Sequence, residues 1–435
     1  MIGIYLKQAW NLLRQEKLFS AIYIIGTGLS ITMVMVLAIV YYVKIANVYP
    51  ETNRDRLLSV KSGYEIMKDN RDGWYNSRFS LKTVDACFRS LQHAEAVTAI
   101  YEPYGAENYI QPAGSREQLP TMLRFVDTAF WKVFPFAFVT GQPFTQADFD
   151  SGIFTAVIAE SMAKRLFGRV DVVGEEISID FRPYRVCGVV KDASFATPTT
   201  YAHCWIPYTT QPKYDAHEGY AGYMGLMKIY MLANSVGVMD ALRDEVLANL
   251  QRVNLAMEEY ELHFSGQPDR HWQSLFRNWS MEEIDFNRVL LQYGLVFFLL
   301  LFIPAVSLSG MTDSRMERRM VEIGIRRSFG APVGVLMRQI LTENLLFTLL
   351  GGMVGLLLSY LLLPFCADWI MTVGQSFVEL PVEGTSVTFT PSMLLNLPVF
   401  LIALTVCFLL NLMSALLPAW QASRYDIIYS LNEKR

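Results

Sequence analysis

Four stretches of the chain, residues 19–43, 289–312, 344–367 and 393–417, run for more than 20 residues without a charged side chain. An α-helix needs roughly 20 residues to cross a hydrocarbon core of about 30 Å, so each stretch predicts a membrane-spanning helix. Buried helices of a large soluble core rarely run so far without a charge. The first stretch exceeds the roughly 7–15 apolar residues of a signal peptide and lacks a small-residue cleavage site, so it is read as a retained helix.

The polar positions between the stretches set their direction. Lys7, Arg14 and Lys17 precede the first; Arg315, Arg318, Arg319, Arg326, Arg327 and Arg338 lie between the second and third; Arg424, Lys434 and Arg435 follow the fourth. Residues 368–392 carry no Lys or Arg, only Asp368, Glu379 and Glu383. Cytoplasmic loops are enriched in Lys and Arg, which places both termini and residues 313–343 inside and residues 44–288 outside. Ile2, Leu6, Ala9, Trp10 and Leu13 share one helical face while Lys7 and Arg14 fall off it, the pattern of a helix lying along the inner leaflet. The third span carries Gly351, Gly352 and Gly355; small residues at i and i+4 let helix backbones approach closely, in a dimer or within one chain alike. Thr390-Pro391 reads as an N-cap followed by proline at the first helical position. No span contains an ionisable side chain, which argues against a transporter with a charged pathway at membrane depth.

Between the first two spans the periodicity is that of a mixed α/β domain. Residues 154–158 are rich in strand formers. Residues 160–167 read as a short helix with Ala163, Leu166 and Phe167 inward and Gly168 as its stop. Residues 176–180 and 184–190 read as a hairpin turned near Phe181-Arg182-Pro183, and residues 225–233 as a further strand. A helix over 236–253 places Leu242, Val246, Leu250 and Val253 on one side. Ser280 with Glu283 fits a capping box, predicting a helix that starts there and runs unbroken into the second span.

Composition changes this picture little. The 435 residues are 52% hydrophobic and 18% charged, with a net charge of −4 and Lys and Arg spread along the chain, so no nucleic-acid partner is expected. Cys87, Cys187, Cys204, Cys366 and Cys407 form no CxxC pair. The first three lie outside on this topology, which allows one disulfide of unassigned pairing. His93, His203, His217, His263 and His271 lack metal-site spacing. There is no HExxH or GxSxG, and the external acidic residues are dispersed, so neither a catalytic residue nor a metal is expected. No Gly-Lys dipeptide occurs, hence no Walker A loop.

The basic segment EIGIRRSFGAP remains. Residues 316–329 favour helix, Gly330 suits a left-handed helix stop and Pro332 the start of the next helix, whose Val333, Leu336, Met337, Ile340 and Leu341 continue the apolar face into the third span. The result is a helix–turn–helix at the inner face that presents Ile323, Ile325 and Phe329 beside Arg326 and Arg327. A lipid-headgroup anchor would need only the charge.

EIGIRRSFGA, followed by LTENLLFTLLGGMVGLLLSYLL, resembles the FtsX-like permease module of the MacB-type ABC transporter family. The tail PAWQASRYDIIYSL is similar to that family's closing motif, with Ile427-Ile428 where a proline commonly follows the aspartate. Residues 154–192 resemble its external MacB-like core domain. The resemblance implies a permease that pairs as a homo- or heterodimer and binds a cytoplasmic P-loop ATPase carrying ATP and Mg, while this chain binds no cofactor itself. Glu322, Ile323, Gly324, Ile325, Arg326, Arg327, Phe329 and Gly330 would then dock on the ATPase. The chain departs from members with a fused nucleotide-binding domain and from eight-span members, since no second set of permease motifs is present.

The expected fold class is a membrane protein of four transmembrane α-helices with a large extracytoplasmic mixed α/β domain between the first two. Its parts are a cytoplasmic amphipathic helix (1–18), spans at 19–43, 289–312, 344–367 and 393–417, the external domain (44–288), a coupling segment (313–343), an external loop (368–392) and a cytoplasmic tail (418–435). It is expected in the inner membrane, contacting lipid, and an external adaptor or effector is open. The expected function is transmission of ATP-driven motion to the external domain for efflux, lipoprotein extraction or activation of a cell-wall enzyme. The rival is a receptor that senses a ligand outside and docks a kinase inside.

Overall fold

The first long apolar run folds as one helix, α1 (Lys17–Ile45), of 29 residues, about 43 Å at 1.5 Å per residue. Lys17 and Lys44 bracket a run with no charge between them, and the apolar span is Ser20–Ile45. The computed structural model describes residues 17–69, 73–105, 108–277, 282–296 and 332–372, with scattered positions between 298 and 412. These residues fall into two compact units, one of residues 42–285 with 371–389, the other of 1–41, 286–370 and 390–435. The predicted amphipathic helix before Lys17, most of the fourth span and the tail lie outside the described residues.

Among the described residues, the 42–285 unit is built on sixteen strands. They are β1 (Leu57–Val60), β2 (Gly63–Met67), β3 (Trp74–Phe79), β4 (Ala94–Tyr101), β5 (Asn108–Pro112), β6 (Leu119–Thr121), β7 (Leu123–Val126) and β8 (Phe138–Gly141). There follow β9 (Thr155–Ala159), β10 (Glu176–Ile179), β11 (Arg182–Val190), β12 (Cys204–Pro207), β13 (Met224–Gly225), β14 (Met227–Ala233), β15 (Tyr260–His263) and β16 (Asp269–Arg270). The main path runs β15-β2-β3-β14-β4-β7-β12-β9-β11-β10-β5-β6, with β1 pairing β14 and β16. Two pairs are parallel, β9 with β11 and β7 with β12. Strands covered on both faces read as unbroken apolar runs rather than alternation: Thr155-Ala-Val-Ile-Ala159 is buried at every position, as are β1, β7 and β12. Trp205, Tyr184, Phe79, Phe88, Phe130, Phe134 and Phe264 are the largest side chains fully enclosed there among the described residues. A polar tie crosses the same sheet. Glu102 pairs with Lys228 at 2.5 Å and Arg78 at 3.3 Å, with Arg124 at 3.6 Å. Burial pushes its carboxyl up, but the three cations outweigh it and hold it at about 2.

The βαβ passage is the one the residue pattern predicts. Helix α2 (Glu160–Phe167) buries Met162 and Ala163, keeps Leu166 and Phe167 half-buried, and ends on Gly168 at φ 70°. Helix α3 (Met239–Ala256) buries Leu242, Val246, Leu250 and Val253, with Met239 and Asn249. The hairpin turn differs from expectation. It lies at Asp180 and Phe181, both at positive φ, and Arg182 and Pro183 already pair with Ile179 and Ser178. Two consecutive left-handed residues make the tight turn that suits strand twist, so the proline falls inside the strand. The helix expected from Ser280 is also displaced: helix begins at residue 286, while Glu282 and Glu283 are non-helical. Arg277 donates to the Glu282 carbonyl at 2.6 Å, and Glu283 packs beside Gly266. Glu282 and Glu283 are thus engaged by the α/β unit rather than by a helix start. Ser280 lies outside the described residues.

In the other unit, helix α4 (Val333–Thr372) has 40 residues, about 60 Å, and its apolar span is Leu345–Leu363. It starts directly after Pro332, so the third predicted span continues a helix that begins at the Gly-Ala-Pro break. Residues 286–296 are helical where the second span is expected to begin.

Gly141 adopts φ +71°, and a Cβ there would stand 2.3 Å from the Cys187 carbonyl oxygen. Gly168 has the same left-handed backbone with nothing within 4 Å. Thermal unfolding of the full-length protein in detergent should show Gly168→Ala losing about 1–2 kcal/mol, the cost of the conformer alone. Gly141→Ala should lose more than about 3 kcal/mol, since strain and collision add.

Candidate functional site

Of the positions expected to form a coupling surface, Ile325 and Phe329 are described. The Phe329 N–H donates to the Ile325 carbonyl at 3.2 Å, closing one helical turn, and the two apolar side chains are 44% and 88% exposed. Glu322, Ile323, Gly324, Arg326, Arg327 and Gly330 lie outside the described residues.

The glycines of α4 meet α1. A Cβ on Gly351 would stand 2.8 Å from the Thr27 Cβ, and one on Gly355 2.7 Å from the Gly28 carbonyl oxygen and 2.9 Å from Ile31. The Thr32 hydroxyl is shared between the Gly28 carbonyl of its own helix, at 2.8 Å, and the Gly355 carbonyl across the seam, at 3.1 Å. The Tyr23 and Phe347 rings lie 5.3 Å apart. Contacts thus pair 23 with 347, 27 with 351 and 31 with 355. Both numbers rise together, so α1 and α4 run parallel. An added Cβ on Gly352 would meet the tip of Leu404 at 2.5 Å and, at ordinary contact distance, the tip of Ile31 at 3.7 Å. In detergent, Gly351→Leu and Gly355→Leu are expected to lower thermal stability by about 1–3 kcal/mol through overpacking against backbone. Gly352→Ala, meeting a flexible tip, should stay within about 0.5 kcal/mol.

The end of α1 poses a separate problem, because the last four carbonyls of a helix lack partners within it. In the 42–285 unit a buried and a half-buried side chain meet two of them and the carbonyl that follows. The Arg54 Nη1 donates to the carbonyls of Val43 at 2.6 Å and Ala46 at 2.8 Å, and the His271 Nε2 contacts the Lys44 carbonyl at 2.8 Å. Residues 54–56 form a 3-10 turn that brings Arg54 back to the helix end. Its Nε donates to Glu51 at 2.8 Å, and the pair is 1% exposed on both sides. The other Glu51 oxygen accepts from the Thr200 hydroxyl at 3.0 Å. Taking two charges out of water costs several kcal/mol per ion, which this closed set of charge-assisted bonds offsets. Burial pushes the Glu51 carboxyl up, yet the Arg54 guanidinium outweighs it and holds the group below the usual carboxylate range. Burial, then the Arg54 charge, pushes His271 down to about 4. The ring is therefore neutral at pH 7 and donates its Nε2–H to Lys44.

Sequence reasoning did not find Glu51, Arg54, Thr200 or His271. The one local signal is a Glu and an Arg three residues apart just after an apolar helix. Cys87, Cys187 and Cys204 carry free thiols. No group of His, Cys, Asp or Glu able to hold a metal occurs among the described residues.

The sign of the His271 contribution follows from its depressed folded value. An unfolded chain takes up the proton near pH 6.5 and the folded one only near 4, so stability is full above 6.5 and falls as pH drops through that window, by up to about 3 kcal/mol. Denaturant titrations at pH 7, 5.5 and 4.5 should show this slope in the native protein and a flatter one in His271→Asn.

Two family models match the chain: the MacB-like periplasmic core domain over residues 20–249 and the FtsX-like permease C-terminal region over residues 294–427. The pyoverdine export ATP-binding/permease protein PvdT of Pseudomonas aeruginosa is 24% identical over 274 residues, which cover 62% of this chain and 38% of that one. The macrolide export ATP-binding/permease protein MacB of Chromobacterium violaceum is 25% identical, over 59% and 38% of the two chains. The uncharacterized ABC transporter permease YknZ of Bacillus subtilis is 22% identical, over 56% and 57%. The chain thus spans well under two thirds of these relatives. Among solved structures, the extracellular domain of YknZ matches with a TM-score of 0.32 at 18% identity, over 46% of this chain and 99% of that one. With the core-domain match covering more than half its length, the chain belongs to the MacB-like, FtsX-like family of ABC transporter permeases.

Proposed function

We propose that the chain is a non-catalytic permease subunit that couples ATP hydrolysis on a separate cytoplasmic P-loop ATPase to movement of its external α/β domain. The observation that supports this reading is the parallel seam between α1 and α4, which precede and follow that domain in the sequence. Two parallel spans in one chain require an intervening crossing in the opposite sense, which residues 289–312 supply; residues 393–417 make the fourth span. Both termini and residues 313–343 then face the cytoplasm of an inner membrane, as the Lys and Arg bias favours. ATP and Mg belong to the partner ATPase. Ile325 and Phe329, exposed one turn apart, fill the partner's groove with Ile323, while Arg326 and Arg327 meet acidic groups at its rim. Glu322, Gly324 and Gly330 belong to the same docking segment. The permease acts as a dimer, in contact with lipid and with an adaptor or effector outside. Its work is efflux, lipoprotein extraction or activation of a cell-wall enzyme rather than passage of substrate through the membrane core, since the apolar spans offer no charged pathway.

The test is a tagged pull-down from native membranes in mild detergent, with mass spectrometry of what co-elutes. A P-loop ATPase is expected with the native protein and should be lost from an Ile325→Asp/Arg326→Glu variant that still inserts. A kinase or signalling adaptor in its place would overturn the reading in favour of a receptor.

A further inference from the structure

We infer that Arg54, held by Glu51, is the positioning residue through which displacement of α1 enters the α/β unit, an inference that rests on the reading of the chain as an ATP-driven permease. A helix end whose carbonyls face water can swivel, because each contact broken there is replaced by solvent. The carbonyls of Val43, Lys44 and Ala46 are instead gripped by Arg54 and His271, and those side chains are rooted in different places. Arg54 stands in the turn that enters β1. His271 directly follows β16, which pairs with β1 through Ser59 with Asp269 and Leu58 with Arg270. Thr200, on Glu51, lies in the segment leading to β12, where its carbonyl also accepts the Trp205 indole N–H at 3.2 Å. A twist or pull at residue 43 is therefore loaded at once on β1, β16 and the approach to β12.

A stability role alone does not account for this chemistry. Capping a helix needs only a glycine or an exposed cation at its C-terminus, and a buried ion pair is often no more stabilising than apolar residues of similar volume. Directional hold does account for it: a guanidinium is a planar fork that fixes several acceptors in set directions, whereas an ammonium is a point charge that rotates freely.

The experiment uses the full-length protein, co-purified with its ATPase in lipid nanodiscs, and follows backbone hydrogen exchange without nucleotide and with ATP plus vanadate. Glu51→Leu/Arg54→Met removes both charges together, so the unit is expected to stay folded. Arg54→Lys keeps the charge for Glu51 but not the fork, and serves if the double variant unfolds. Thermal unfolding and ATPase rate are recorded for each. The expected result is a nucleotide-dependent change in β1 and β14 of the native protein that is lost in the double variant and reduced in Arg54→Lys, with hydrolysis and the response of residues 17–42 retained. An undiminished response of β1 and β14 in folded variants overturns the inference while leaving the permease reading intact. A native complex whose external domain does not respond to nucleotide, or no co-purifying ATPase, overturns the permease reading and this inference with it.

Discussion

A chain that leaves lipid for a folded domain arrives with carbonyl groups that its own helix cannot satisfy. At the end of α1 two of these, with the carbonyl of Ala46 just beyond, are met by one buried guanidinium and one half-buried neutral imidazole. The rest of the arrangement follows from that need. Arg54 in such a place requires Glu51, Glu51 requires Thr200 for its second oxygen, and the imidazole must stay uncharged beside a guanidinium, which burial ensures. A charge left over anywhere in this set would cost several kcal/mol, so its members are mutually dependent.

The seam between α1 and α4 rests on a different constraint. Among lipid tails no hydrophobic effect draws helices together, and close backbone approach with dispersion and hydrogen bonds must serve. Glycines 28, 351 and 355 remove the side chains that would hold the helices apart, and the space they leave admits the Thr32 hydroxyl to a carbonyl of the facing helix. The same contacts fix the relative direction of the two helices, and that direction constrains how often the intervening chain crosses the bilayer.

Much of the α/β unit was legible because its signals are local. Gly168 stops a helix whose apolar positions recur at helical spacing, and Thr155-Ala-Val-Ile-Ala159 has the run of a doubly covered strand. The hairpin turn was misplaced because proline is a strong turn former, whereas the left-handed backbone of Asp180 and Phe181 has no glycine to announce it. Ser280 and Glu283 carry a sound capping pattern, but the packing of Glu283 beside Gly266 and the bond from Arg277 are tertiary and overrode it. The joint was illegible for the same reason: His271 reaches a carbonyl 227 residues away in the chain, and nothing near position 271 signals a helix end.

The three thiols of the α/β unit bear on its redox chemistry. Cys87, Cys187 and Cys204 are unpaired. Burial pushes Cys87 and Cys187 up to about 12 and Cys204 higher still, against an ordinary value near 9. The thiolate is the species that attacks oxidants and disulfides, so these sulfurs are chemically quiet in the folded state. Among the described residues the domain thus holds together through apolar burial and its charge ties, with no covalent staple between these three sulfurs.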